Sequence, residues 1–479
     1  MFDWLKQKIT RRKKIDGYRK AVRAAYYSAA SDSQTMDFSF AGSETINDAL
    51  KADLNTLRQR ILYELRQNGP AKGICRNYAN ACISTGPLIS LEVEDAFRGW
   101  AEETEFAFSE WAKNCGFIRG ESLAELLHVG VRQFFSAGEY FPVDKIDTDA
   151  VTPVKYRILL IRADRVTSPY GDLQKIKQGI EFDGNGKPIF YHVKSEDGFE
   201  FAKVSANVMR HVFYPEAPDQ VRGEPWLAAG LSDLHKRRRY DEARVAAAIV
   251  AAKFAVFLSQ KDPNLQLDES TILPEGILDL NDGQATVLPP NVGVESFSGA
   301  QPVAGATDFR REMIANAGAA MGMSAAAATM DSSGNSFAGA RYDDVGVSLE
   351  YEVTRSIIEN RDLIPVVHKF IREAVAVMQI PAPPEWYRVV VRWPHANRHT
   401  DPQKAANANK TRVESGESTY EDIWAEAGRD REKARAALVE EVKWFRENEL
   451  IHPRDAKAQK AKQEEKKDAQ AKPQPASNM

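Results

Sequence analysis

The side chains able to do chemistry are few, and their spacing is poor for it. Of the eight histidines, only His395 and His399 stand at a ligand-like separation. They follow a strand-like segment ending at Trp393-Pro394, and no third ligand is near in sequence, so no metal site is expected. Asp343-Asp344 could form a carboxylate pair for metal-assisted phosphodiester cleavage, but a helical pattern rich in charge makes a solvated face the plainer reading. The tetrapeptide GNGK from Gly184 lacks the G-x-x-x-x-G-K-[ST] spacing of a phosphate loop and runs into Pro188 instead of a helix, so it reads as a hairpin turn. Neither H-E-x-x-H nor G-x-S-x-G occurs. Cys75, Cys82 and Cys115 are odd in number, lie in apolar helical segments and form no C-x-x-C pair, which predicts buried thiols. No enzymatic activity, cofactor or metal is expected.

What remains is a polar interruption between helices. The segment DFRREMIANAGAAMGM from Asp308 places Phe309, Met313, Ala317 and Met321 four apart on one narrow, alanine-rich stripe. Five small or apolar residues follow, then the candidate loop Asp331, Ser332, Ser333, Gly334, Asn335, Ser336 and Phe337. A second long helical pattern begins at Ala338 and carries Val347, Tyr351 and Ile358. Serine, glycine and asparagine between two good helix formers break the helix. An ordinary helical hairpin has the same pattern, so the loop gains meaning only from the rest of the chain.

With 479 residues, 43% hydrophobic and 28% charged, the chain can bury a large core and suggests two to four structural units. No apolar run reaches the length of a membrane span, and residues 1–20 are basic without a secretion signal's apolar stretch, so a protein that is cytosolic or assembled in the cytosol, with no membrane partner, is expected. The formal charge of −4 argues against a protein built to grip DNA tightly.

The basic arm of residues 1–46 leads into a helix from Asn47 with Leu54, Leu57, Ile61 and Leu65 on one face. Asn68-Gly69 stops it, and Pro70 opens the next helix, carrying Ile74 and Ala81 to near Gly86. Helices with Trp100, Thr104, Phe108 and Trp111, then over 121–137, come next. From Gly138 the period changes to two, predicting antiparallel strands over 139–146, 155–162, 179–183, 188–193 and 208–214. Pro225 starts a long helical pattern to Leu258 whose second half, RVAAAIVAAKFAVF, has so little bulk that it must lie against neighbouring backbone. Copies of the same helix in a ring, or a central position within one subunit, would both satisfy it. Residues 259–307 are proline-rich, with strand-like pieces at 276–280 and 285–288. Farther on, Asp362 reads as a helix cap before Pro365, RVVVRWP from Arg388 as a strand, Asp401-Pro402 as a helix start, Ser418 with Glu421 as a capping box, Gly428 as a helix stop and Asp430 as the last cap. The tail from Asp455 has almost nothing to bury.

An ordered series of motifs then resembles a known family, the lambda-type portal proteins of tailed bacteriophages. The series is LRQRILYELRQNGPAKG from Leu57, GIEFDGNGKPIFYHV from Gly179, HVFYPEAPDQVRGEPWLA from His211, RRYDEARVAAAIVAA from Arg238, IANAGAAMGMS from Ile314, the Trp393-Pro394 pair, DPQKAA from Asp401 and AGRDREK from Ala427. The loop departs from the family pattern, reading Asn335, Ser336, Phe337, Ala338. The resemblance implies an α+β portal fold: long stem helices, a mixed α/β wing, a small clip and a helical C-terminal part. It would divide the chain into an N-terminal arm (1–46), wing (47–222), first stem helix (223–258), clip (259–307), second stem helix (308–330), channel loop (331–337), long wing helix with return strand (338–400), crown or outer-wing helices (401–450) and a disordered tail (451–479).

It also implies a homo-oligomeric ring, twelve-fold, at one vertex of the viral head. Double-stranded DNA would enter and leave through the axial channel, and the clip would meet the terminase large subunit and then head-tail adaptor proteins. Major capsid and scaffold proteins would surround it, and the protein would end in the virion after assembly in the host cytoplasm. The missing phosphate loop agrees, since it places ATP hydrolysis in a partner. A packaging enzyme of terminase or nuclease type would need the absent phosphate loop or clustered carboxylates, and a minor capsid or scaffold protein would lack the paired alanine helices.

Overall fold

The computed structural model describes residues 45–169, 171–172, 175–252, 256–260, 292–296, 305–331, 333, 336–394, 402–427, 429, 431–448 and 450. The chain divides into a unit ending at Ala52 and a second from Asp53. In the first, Thr45 and Asp48 form a capping box: the Thr45 N–H donates to Asp48 Oδ2 at 3.2 Å and the Asp48 N–H to Thr45 Oγ1 at 3.3 Å.

Helix α1 (Ile46–Gln67) is parted from α2 (Gly69–Ile83) by Asn68 alone, which takes an extended conformation at φ −117°, ψ 106°. Pro70 then occupies the first turn of α2, where its missing N–H costs nothing. Strand β1 (Leu88–Glu92) leads to α3 (Arg98–Ala112) and α4 (Leu123–Ala137), the latter opened by a Ser122/Glu125 capping box and closed by Gly138 at φ +82°. The sheets follow as β2 (Glu139–Ile146), β3 (Tyr156–Ile161), β4 (Ile176–Lys177), β5 (Ile180–Phe182), β6 (Pro188–Lys194), β7 (Phe201–Ser205) and β8 (Val212–Phe213). They form an antiparallel β3-β2-β8 sheet and an antiparallel β4-β5-β6-β7 meander. The turn at Gly184–Lys187 closes a hairpin as expected: the Asp183 N–H donates to Lys187 O and the Gly186 N–H to Asp183 O.

Helix α5 (Leu231–Ala252) leaves this body and is followed by β9 (Val256–Gln260), which pairs antiparallel with β10 (Val292–Ser296). The chain returns through α6 (Ala306–Ala319), the short α7 (Ala325–Thr329), α8 (Phe337–Ile358), a π-helical turn at Glu359–Leu363 and α9 (Ile364–Ala376). Strand β11 (Arg388–Arg392) pairs with β1, and α10 (Pro402–Glu414), α11 (Tyr420–Glu426) and α12 (Arg431–Glu447) end the described chain. The mixture of helices with small antiparallel sheets is α+β, as expected.

Tyr78 on α2 is the hub of the main core. Its ring meets Phe135, Trp226 and Tyr351 edge-on at centroid distances of 5.3, 5.4 and 4.9 Å, and its hydroxyl shares a 2.8 Å hydrogen bond with Thr354. Each aromatic pair adds roughly 0.5–1.5 kcal/mol beyond the area it buries. The three cysteines are free and buried, and burial pushes each thiol up to about 12. Ellman's reagent at pH 8 should therefore find almost no thiol in the folded protein and three after denaturation.

Several expectations need correction. The long helix starts at Leu231, not Pro225, because residues 226–230 form turns, and 256–260 is a strand, not the end of that helix. Asp362 caps nothing. The helix runs through it, and the Ile364 N–H bonds Glu359 O across a π turn, which accommodates Pro365, a residue with no N–H to give. Its carboxylate is turned inward, accepting from Tyr140 Oη at 2.9 Å and from Arg210 Nε at 2.9 Å. The capping box before α11 is Thr419 with Asp422, one residue later than read, since the Asp422 N–H reaches Thr419 Oγ1 at 3.2 Å. The strand at 208–214 shrinks to β8. Strands β1, β4, β7 and β10 have no counterpart among the expected strands. The pieces at 276–280 and 285–288, the His395/His399 pair, Gly428 and Asp430 lie outside the described residues.

Candidate functional site

The polar interruption is held at both roots. Helix α6 ends at Ala319, and Ser324 restarts the chain as α7 by accepting the Ala327 N–H on its Oγ at 3.2 Å. The expected single helix over 308–330 is thus two. Helix α7 can lie against α6 because Gly318 faces Ala328 without a side chain. Met330 then closes α7 in the left-handed region at φ 56°, ψ 28°, uncommon for a residue with a Cβ. Its side chain lies against Gly73 of α2.

Asp331 follows at once and is tied back to α6. Arg311 Nη2 donates to the Asp331 carbonyl at 3.2 Å, and Nη1 stands 3.6 Å from Asp331 Oδ2. The carboxylate accepts the Ser333 N–H at 2.9 Å, and its hydrogen bonds from Ser333 hold it below the usual carboxylate range. At the other root Ser336 caps α8, accepting the Gly339 N–H at 3.1 Å. Phe337 is therefore the first residue of α8 and not the last of the loop. Ser333 is exposed, while Ser332, Gly334 and Asn335 lie outside the described residues. Replacing Arg311 by alanine should cost under about 1 kcal/mol of stability, since the pair is partly solvated. Limited proteolysis within 331–336 should nonetheless become faster than in the parent chain.

A chain of polar contacts sets where the long helices spring from. Asn68, the one residue between α1 and α2, donates from Nδ2 to Leu234 O at 3.1 Å and to Glu64 Oε2 at 3.2 Å. Its Oδ1 accepts from Arg237 Nη1 at 2.8 Å. Arg237 donates to Asp241 Oδ2 at 2.6 Å, and Arg310 Nε of α6 stands 2.8 Å from Asp241 Oδ1. Close packing completes the joint, since Gly230 lies so near Ala317 that an added Cβ would sit 2.8 Å from the Ala317 Cα. Of the predicted stripe, Ala317 and Met321 are buried, while the Phe309 ring meets Tyr240 edge-on at a centroid distance of 4.9 Å.

Beyond this joint α5 changes character. Ala243 and the run Val245, Ala246, Ala247, Ala248, Ile249 are all exposed in the protomer. On α8, Asp343 is half-buried, and no group of three or more His, Cys, Asp or Glu able to hold a metal occurs among the described residues. Among them, too, no helix is long and apolar enough to cross a membrane. The sequence reading missed Arg311, Met330 and Asn68. Only Asn68 carried a signal, as the stop before Gly69-Pro70.

Comparison with known proteins adds a family. The sequence model described as phage portal protein, lambda family, matches residues 32–353. A probable portal protein of Halomonas phage phiHAP-1 is 24% identical over 448 residues, spanning 87% of this chain and 86% of the relative. Among solved structures, a chain of the native gene transfer agent virion is similar at a TM-score of 0.47 and 12% identity, covering 79% of this chain and 94% of its own. An HK97-family phage portal protein from Corynebacterium diphtheriae is similar at 0.30 and 12%, covering 76% and 97%.

Proposed function

Because the chain belongs to the lambda family of phage portal proteins, we propose that it forms a closed ring of twelve copies at one capsid vertex, through which double-stranded DNA is packaged and ejected. The observation that carries the ring is the exposed outer half of α5, where Val245 and Ile249 stand among alanines. Soluble monomers rarely leave such a length of apolar helix uncovered, and small side chains let neighbouring helices approach closely. A cyclic ring needs every copy to offer the same surfaces in the same way, which a helix projecting from a fixed joint does.

In this reading α5 and α6 are the stem, and the segment 259–307, which begins within β9, is the clip, where the terminase large subunit docks first and head-tail adaptors later. Residues 47–222 with 338–400 are the wing, facing capsid and scaffold proteins, and 401–450 the crown or outer wing. Residues 331–336 are the channel loop. Its small polar side chains suit brief touches on passing phosphates, and the net charge of −4 per copy keeps the conduit from retaining DNA nonspecifically. ATP hydrolysis belongs to the terminase, and the portal itself does no chemistry.

Electron-microscope class averages of the purified protein, viewed down the axis, should show closed rings with a central hole and interfaces in the obligate range of roughly 2,000 Å² or more. A monomer by light scattering at micromolar concentration, across several salts, would overturn the ring.

A further inference from the structure

A second apolar surface lies far along the chain from the exposed part of α5. On α8 the side that packs inward carries Val347, Tyr351 and Ile358, all buried. The opposite side carries Tyr342, Val345, Leu349 and Val353, which are 83, 59, 58 and 44% exposed. Spaced three and four apart, they form one continuous stripe about 16 Å long at 1.5 Å per residue. Asp343 and Glu352 border it. A stripe of this kind on an otherwise amphipathic helix marks a face that something covers.

The same protomer holds a surface of matching chemistry. Between α1 and the start of α5 runs a groove of about 560 Å³. Tyr63, Ala228 and Leu231 give it an apolar lining, and Arg60, His235 and Arg238 stand around it. Arg238 is fixed there, with Nη2 on Glu64 Oε1 at 2.9 Å and its guanidinium 5.3 Å over the Tyr63 ring. One surface is apolar with Asp343 and Glu352 beside it, and the other is apolar with Arg60, His235 and Arg238 set around the single carboxylate of Glu64.

We propose that the α8 stripe of one copy of this chain seats in the α1–α5 groove of the next. The proposal rests on the ring reading and deepens it by naming a contact outside the stem. A ring closes only through two different, complementary patches on each subunit, and these two differ in shape and in the sign of the charges around them. A second copy is therefore the occupant that the charge pattern fits, and DNA, which would be repelled by Asp343 and Glu352, is not.

The test is cross-linking in purified rings with a short bismaleimide, made possible because Cys75, Cys82 and Cys115 are buried. The double variant Tyr63→Cys with Leu349→Cys should give a ladder of covalent multimers on a denaturing gel, and either single variant should run as a monomer. Glu352→Arg should lower the salt concentration at which rings fall apart, and adding Arg60→Glu should restore it. Rings that stay uncross-linked in the double variant, or a Leu349→Cys single variant that links to itself, would overturn the proposal while leaving the ring intact. Parent protein that forms no ring would instead sink the reading beneath it.

Discussion

Glu139→Ala is expected to destabilise the protomer by about 3–5 kcal/mol, because it strands two buried cations. Glu139 opens β2 fully buried, with Arg58 Nη2 at 2.6 Å and Arg222 Nε at 2.8 Å on one oxygen. The other oxygen accepts the Gly223 N–H at 2.9 Å and lies 2.7 Å from His211 Nε2. The same arginines reach backbone carbonyls of Ala137, Ala163, Val166 and Gln178, so one carboxylate ties α1, α4, β2 and the meander together. With a typical domain stable by only about 5–15 kcal/mol, denaturant melts of the variant should show a midpoint far below the parent's. A midpoint unchanged within error would mean the node is not a keystone.

The node also has a pH signature. Burial by itself would raise the Glu139 carboxyl, but Arg222, His211 and Arg58 outweigh it and hold it well below its usual range. Burial lowers His211, against the pull of Glu139. Each group thus binds fewer protons folded than unfolded, so each contributes stability that is complete at neutral pH and lost on acidification. The loss should begin below about pH 6.5, where unfolded histidine protonates, and steepen through about pH 4.3, where unfolded glutamate does. Melts from pH 8 to pH 4 should track this fall, and His211→Gln should remove the upper part of it.

Shortening the proposed channel loop should act on DNA and spare the particle. Deleting 332–335 removes the span between the Arg311-held Asp331 and the capping Ser336 while leaving both roots in place. Heads should assemble in parent yield but hold less DNA, or lose it after packaging. The contrast lies in the alanines. Ala317 is buried against Gly230 within one protomer, so Ala317→Leu should cost about 1–3 kcal/mol of protomer stability by overpacking. Ala247 is exposed, so Ala247→Leu should leave the protomer's melt unchanged and damage ring formation. Particle yield and DNA content per particle, measured for all three variants, separate channel from stem. Loop variants that abolish rings while Ala247→Leu spares them would reverse the placement.

The local signals in the chain determined much of this. The Asn68-Gly69-Pro70 break, the change of period at Gly138, the GNGK hairpin, the buried cysteines and the polar break after Met330 all depend on neighbours within a few residues. Backbone propensity, turn chemistry and amphipathic spacing act over that range, and the motif series was enough to point to the family. Tertiary structure alone decided the rest, because the deciding partners are distant in sequence. Strand β1 is fixed by pairing with β11, some 300 residues later. Asp362 is turned from a cap into a buried acceptor by Tyr140 and Arg210. Glu139 becomes a keystone only when Arg58 and Arg222 converge on it. The stop of α5 short of Leu258, and the fixing of the loop root by Arg311 and Met330, are likewise settled by packing and pairing across the fold, which no periodicity records.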